Sequence, residues 1–221
     1  RVGQIVLWSV FALLSLAFLA NLAAYVSGAG EIVADLVGLY PRVAEALVYV
    51  VSAGVVFFGL KAVGIAERFG AVVLVGFIAA IGVGAAGVPF SVPAPSAPSA
   101  TGWLALYGMV MYAYWTFYSV PQVVKGLGND HRGAARALGA GVPMNGAHTL
   151  AGARIALGAS AEGAEGAGSG SGAAIGPWAG VAGSLLIVMA LVTSYWSVSL
   201  ALADILRERT GISARLAWLL A

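Results

Sequence analysis

Phe69-Gly-Ala-Val-Val-Leu-Val-Gly-Phe-Ile-Ala-Ala-Ile-Gly-Val-Gly-Ala-Ala-Gly-Val88 holds no Asp, Glu, Lys or Arg, and the charge-free run continues unbroken to Val124. A run of 56 residues without a charge is hard to keep in water. It is long enough to cross a bilayer twice at about 20 residues per helical crossing. The whole chain follows suit: 61% hydrophobic residues, 9% charged and a mean hydropathy of +0.95, whereas soluble domains carry about a quarter charged residues. In lipid the backbone must satisfy its own polar groups, which leaves helices or closed barrels. Long uninterrupted apolar blocks favour helices over the short alternating segments of a barrel. The fold class expected is therefore an all-α, multi-pass membrane protein whose first partner is the lipid bilayer.

Working outward from this stretch, the spans fall at roughly 5–27, 44–60, 69–88, 102–124, 137–157 and 178–206, with the start of another at 214. The first ends at Gly28-Ala-Gly30, and Lys61, Glu67 and Arg68 mark the turn between the second and third. A Pro-rich connector, Pro89–Pro98, leads to the fourth. The fifth is weak, with Pro143, Asn145, His148 and Arg154 inside it, and a Gly/Ser/Ala-rich loop, Gly158–Gly172, follows. With Arg1 on the cytoplasmic side and the spans alternating, nine basic residues fall inside and only Arg42 and Arg154 outside, the bias expected of inward-facing loops. The eleven basic residues are scattered between apolar blocks, so no nucleic-acid partner is expected. There is no cysteine and there are only two histidines, His131 and His148, so no metal site is expected. The chain opens on Arg1 and closes inside an apolar run, and it reads as a fragment whose N- and C-terminal helices are missing.

The chemistry-bearing stretch is Tyr112-Ala-Tyr-Trp-Thr-Phe-Tyr-Ser-Val-Pro121. Proline removes a backbone hydrogen bond and disfavours helix at the residue before it. Helices broken in mid-membrane are how many secondary transporters hold substrates. Tyr112, Tyr114, Trp115 and Thr116 are the expected substrate-binding side chains, with Pro121 as the helix break. Against this stands the plainer alternative of an interfacial aromatic belt and a proline kink. Asn21 and Tyr25 share a helix face, either along a solute path or at an ordinary packing seam. Thr193 and Ser197 share another. Their hydroxyls either help to ligate a cation or bond the carbonyls of their own helix. Asp204 and Glu45 lie near span ends, and no carboxylate is expected in mid-membrane. A dedicated proton relay is therefore expected only if His148 serves. No nucleophile elbow, P-loop or paired-acid motif is present, so the chain is not expected to be an enzyme.

Three stretches resemble one family. Ala23-Ala-Tyr-Val-Ser-Gly-Ala-Gly-Glu-Ile32 is similar to the end of the third helix of amino-acid permeases. Phe117-Tyr-Ser-Val-Pro-Gln-Val-Val-Lys-Gly-Leu-Gly-Asn-Asp130, with Arg132 and Arg136, resembles the sixth helix and following loop of the aromatic and hydroxy amino acid (tryptophan/tyrosine) permease branch. Thr193-Ser-Tyr-Trp-Ser-Val-Ser-Leu-Ala-Leu-Ala-Asp204 with Arg207 resembles the eighth. The resemblance implies part of the amino acid–polyamine–organocation superfamily: helices three to eight of a LeuT-like, five-plus-five inverted repeat, with six to seven transmembrane helices here. It implies an amino-acid substrate, alternating access, a prokaryotic cell membrane and no cofactor beyond a coupling H+ or Na+. Tyr112, Tyr114, Trp115 and Thr116 would face the substrate, Tyr25 would neighbour it, and Thr193 and Ser197 map near the cation position of sodium-coupled relatives. Tyr118 stands at the common His position, with one residue fewer before Pro121. Residues 145–172 depart from the expected seventh helix, which suggests an altered or frameshifted segment. A membrane scaffold or accessory subunit with no solute path is the alternative function, and an embedded enzyme would need catalytic groups outside the chain.

Overall fold

The computed structural model describes residues 2–84, 86, 99–114, 119–128, 130–160 and 175–221. Every element among them is helical: α1 (Val2–Val37), α2 (Pro41–Phe57), α3 (Leu60–Gly84), α4 (Ala100–Ala113), α5 (Val120–Gly126), α6 (His131–Ser160), α7 (Pro177–Thr210) and α8 (Ala214–Leu220). Among the described residues α1, α3 and α7 are long and apolar enough to cross a membrane. At 17 and 14 residues, α2 and α4 are shorter than the usual crossing.

Several boundaries differ from those expected of composition. The first helix does not stop at Gly28-Ala-Gly30 but continues to Val37, carrying Glu31 and Asp35 in its last turns. A helical glycine costs only about 1 kcal/mol relative to alanine, which packing recovers. The stop is instead Gly38 at φ +69°, where the Leu39 N–H donates to the Ala34 carbonyl at 3.1 Å. This bond from the second residue beyond the helix to its fourth-last carbonyl closes a Schellman motif. Tyr40 is then extended and Pro41 opens α2 in the first turn, where its missing N–H costs nothing. The next break is Phe58-Gly59, with Gly59 at φ +78°. It is not the charged cluster Lys61, Glu67 and Arg68, which lies inside α3. Turn chemistry, rather than charge, sets both boundaries. In the weak fifth span α6 runs as one helix through Pro143. The Pro-rich connector 89–98 and the loop from 161 to 172 lie outside the described residues.

The chain forms two compact units, residues 1–71 with 188–221 and residues 72–187. In the first, α1 and α2 pack side by side, and Gly30 of α1 lets them approach. A Cβ there would stand 2.6 Å from Glu45 Cγ and 2.8 Å from Glu45 Cα. Trp218 of α8 sets its ring edge-on to Phe57, with centroids 5.0 Å apart, and donates its indole N–H to the Ala53 carbonyl at 3.1 Å. Tyr195 of α7 meets Tyr49 of α2 edge-on. Ala29, Ala44, Ser52 and Ser199 are buried, while Ile5, Leu13 and Leu16 of α1 are 66%, 68% and 65% exposed. Phe18, Val63, Val198 and Leu202 are buried with them, and the small residues of this buried set permit the close backbone approach that drives helix association in lipid.

In the second unit the end of α3 is closed by Ile175 and Trp178. A Cβ on Gly84 would stand 2.9 Å from Ile175 Cγ2 and 3.0 Å from Trp178 Cζ2. The short α5 packs on α6, with Gln122 buried. Ser99 starts α4 by accepting the Gly102 N–H at 3.0 Å, an ordinary N-cap.

Candidate functional site

The described residues at the end of the longest charge-free stretch belong to α4 (Ala100–Ala113) and to the start of α5 (Val120–Gly126). At the end of α4 the Tyr114 N–H still donates to the Val110 carbonyl at 3.2 Å, but Tyr114 itself leaves helical geometry at φ −103°, ψ 10°. The next helix begins at Val120, with Pro121 in its first turn, a position where proline is at home. Trp115 and Thr116, with Phe117 and Tyr118, lie outside the described residues.

A helix end leaves four carbonyls without partners in its own ladder. One of them has a partner from a distant helix: Asn145 of α6 donates its side-chain N–H to the Ala113 carbonyl at 2.9 Å. Beside it, Gly146 leaves room for the Tyr114 hydroxyl, whose oxygen would lie 3.0 Å from a Cβ at that position. The Asn145-Gly146 pair of α6 thus holds the end of α4. The rings of Tyr112 and Tyr114 remain 50% and 43% exposed.

The other candidate residues belong to the first unit. Tyr25 lies on α1, partly exposed. Asn21 donates to the Ala17 carbonyl of its own helix at 2.9 Å. On α7 the Thr193 hydroxyl donates to the Met189 carbonyl at 2.9 Å, and that of Ser194 to the Ala190 carbonyl at 2.8 Å. Both are local back-bonds of the kind intramembrane hydroxyls commonly make. Ser197 does otherwise: its hydroxyl donates to the Glu67 carboxylate of α3. One turn away, Thr193 Cγ2 sits where a Cβ on Gly70 would be only 2.7 Å distant. Glu67 and Gly70 are three apart on α3, and Ser197 and Thr193 are four apart on α7, so each pair shares a helix face. The two pairs meet in antiparallel order.

Glu67 is the residue that sequence reasoning assigned to a turn. With α3 beginning at Leu60, the carboxylate lies inside a helix of spanning length and is partly buried. No local signal in the sequence ties Glu67 to Ser197, 130 residues away. No group of three or more His, Asp or Glu side chains that would hold a metal ion occurs among the described residues.

No family model matches this chain, and no curated protein or solved structure matches it either.

Proposed function

We propose that the chain is the central part of a multi-pass secondary transporter for amino acids, with aromatic or hydrophobic substrates. Access alternates as one helical bundle rocks against another around a site at the α4–α5 interruption. In this reading the helices belong to a LeuT-like inverted repeat of six to seven spans here, in a prokaryotic cell membrane. The single observation that carries it is the end of α4 at Ala113 and the restart at Val120, within a stretch that holds no charge. Backbone groups freed in a low-dielectric setting are costly unless something polar meets them. Asn145 meets one of them, and a bound amino acid has the donors and acceptors to meet others. Tyr112 and Tyr114 offer aromatic faces at the same place, with Trp115 and Thr116 next in sequence. The resemblance to the aromatic amino acid permease branch points the same way.

The test is uptake of labelled tryptophan, tyrosine, phenylalanine and leucine into proteoliposomes containing the full-length protein. At least one accumulates if the proposal holds. Trp115→Ala then raises KM several-fold, in line with about 0.5–1.5 kcal/mol for an aromatic contact beyond area burial, while insertion into the membrane is retained. Failure of all four to accumulate refutes the proposal and leaves the scaffold subunit as the better account. Unchanged kinetics in Trp115→Ala would move the site away from the interruption.

A further inference from the structure

We propose that Glu67 and Ser197 form a proton-binding site between α3 and α7, and that its proton is the one coupled to transport. The coupling half rests on the function proposed above; the binding half does not. Glu67 lies about 10 Å along α3 from Leu60, and Ser197 lies about 15 Å before Arg207 on α7, at 1.5 Å per residue. Both helices are long and apolar enough to cross the membrane. A carboxylate in such a place needs a compensating charge or a proton, because an isolated ion in an apolar medium is far too costly.

No basic side chain among the described residues compensates it. Among the described residues Glu67 forms no ion pair, and its one hydrogen-bond partner is the Ser197 hydroxyl. Arg68 is adjacent and exposed, and neighbouring helical residues do not face each other. Lys61 is exposed. On α7, Thr193 spends its hydroxyl proton on its own helix, Tyr195 is held against Tyr49 of α2, and Asp204 lies two turns beyond Ser197. The remaining charged groups described in this unit are exposed, except Glu45, which lies against Gly30 of α1. They are Glu31 and Asp35 on α1, Arg42 on α2, Arg207, Glu208 and Arg209 on α7 and Arg215 on α8.

The choice of proton over metal cation follows from the donor set. Hard cations such as Ca2+ and Mg2+ gather about six or more oxygen ligands; the carboxylate and one hydroxyl meet here, and a proton needs a single acceptor. Proton uptake converts the carboxylate to a neutral carboxyl and changes the charge at the α3–α7 contact from −1 to zero. Ser197 supplies an oxygen that accepts from the carboxyl and a proton that donates to the carboxylate, so either state keeps one hydrogen bond. The contact beside it is tight, because Thr193 leaves Gly70 no room for a side chain. A charge change here therefore bears directly on how closely the two helices pack.

The experiment is infrared difference spectroscopy of the reconstituted full-length protein through a pH cycle, combined with uptake. The expected result is a protonated-carboxyl C=O band that appears and disappears reversibly and is missing from Glu67→Gln. In Ser197→Ala the band persists at a shifted frequency. Wild-type amino-acid accumulation rises about tenfold per unit of inward pH gradient for one coupled proton, and in Glu67→Gln this rise is lost while exchange of labelled for unlabelled amino acid continues. Identical pH-dependent carboxyl bands in wild type and a folded Glu67→Gln overturn the site, whatever the uptake result. A sodium gradient that drives uptake at constant pH, and no longer does so in Glu67→Gln, overturns the proton in favour of sodium. A Glu67 band in a protein that accumulates no amino acid upholds the binding half and overturns the coupling half, together with the transport reading.

Discussion

Replacing Gly30 by alanine adds one methyl group at the α1–α2 contact. It would stand 2.6 Å from Glu45 Cγ, 2.8 Å from Glu45 Cα and 2.9 Å from the Glu45 backbone nitrogen. Glu45 Cγ can swing away, but the two backbone atoms move only with α2. Restoring an ordinary carbon contact of about 3.5–4.0 Å therefore separates the helices by about 1 Å. Overpacking of this kind costs about 1–3 kcal/mol, against about 1 kcal/mol gained because alanine is the better helix former. Gly54 on α2 is the matched control: nothing stands within 4 Å of its would-be Cβ, so Gly54→Ala keeps the propensity gain alone. The difference between the two variants isolates the clash. It is expected at about 1–3 kcal/mol, or roughly five- to 150-fold in the unfolding constant. Unfolding in mixed micelles at rising SDS fraction, followed by circular dichroism, reads this directly. A Gly30→Ala protein as stable as Gly54→Ala would refute the close α1–α2 approach.

Two further substitutions probe the α3–α7 and α4–α6 contacts. Gly70→Ala drives a methyl to 2.7 Å from Thr193 Cγ2 and is expected to destabilise, whereas Thr193→Ser removes that methyl and rescues it. The double-mutant cycle should give a favourable coupling of about 0.5–3 kcal/mol, and simple additivity would argue against the contact. Asn145→Ala deletes the bond to the Ala113 carbonyl. It should cost about 0.6–1.7 kcal/mol, the range for interhelical bonds in membranes, with faster hydrogen exchange confined to the end of α4.

The helical character of the chain, with helices apolar enough to cross a membrane, was legible because it rests on composition: apolar blocks without charge leave the backbone few options. The boundaries were less so, since charge was used as punctuation. Lys61, Glu67 and Arg68 look like a turn in sequence, yet the turn is Phe58-Gly59, whose phenylalanine reads as part of an apolar block. Gly28 and Gly30 look like a helix stop, yet they serve as contact points, against Leu191 and Glu45 respectively. A glycine that ends a helix and one that lets two helices touch are the same letter, and only the partner helix tells them apart. The same holds for the candidate site. Pro121, expected to break a helix, lies in the first turn of α5, and residues 115–118 before it lie outside the described residues. Asn145, 32 residues away from the carbonyl it binds, has no local signature that ties it to that place. Glu67 and Ser197 are 130 residues apart, and neither residue predicts the other.

Which solvent surrounds α1 is open to a direct test. Leu16 lies near the middle of a 36-residue helix and is 65% exposed. In water an arginine at such a position is harmless, because exposed substitutions away from special features change stability by less than about 0.5 kcal/mol. At the centre of a spanning helix the same arginine costs about 2.5–3.5 kcal/mol on insertion scales, against a gain of about 0.3–0.6 kcal/mol for leucine. Its head group cannot easily escape, since Leu16 is about 20 Å from the start of the helix at 1.5 Å per residue and farther from its end. Leu16→Arg should therefore lower the inserted fraction of α1 by at least tenfold in a translocon assay that scores glycosylation on either side, at about 1.4 kcal/mol per factor of ten. Leu16→Ala, which changes shape without adding charge, should leave insertion nearly intact. Equal insertion of the two variants would mean that this exposed face does not meet lipid. The small buried residues of the first unit would then need another explanation than close packing in a membrane.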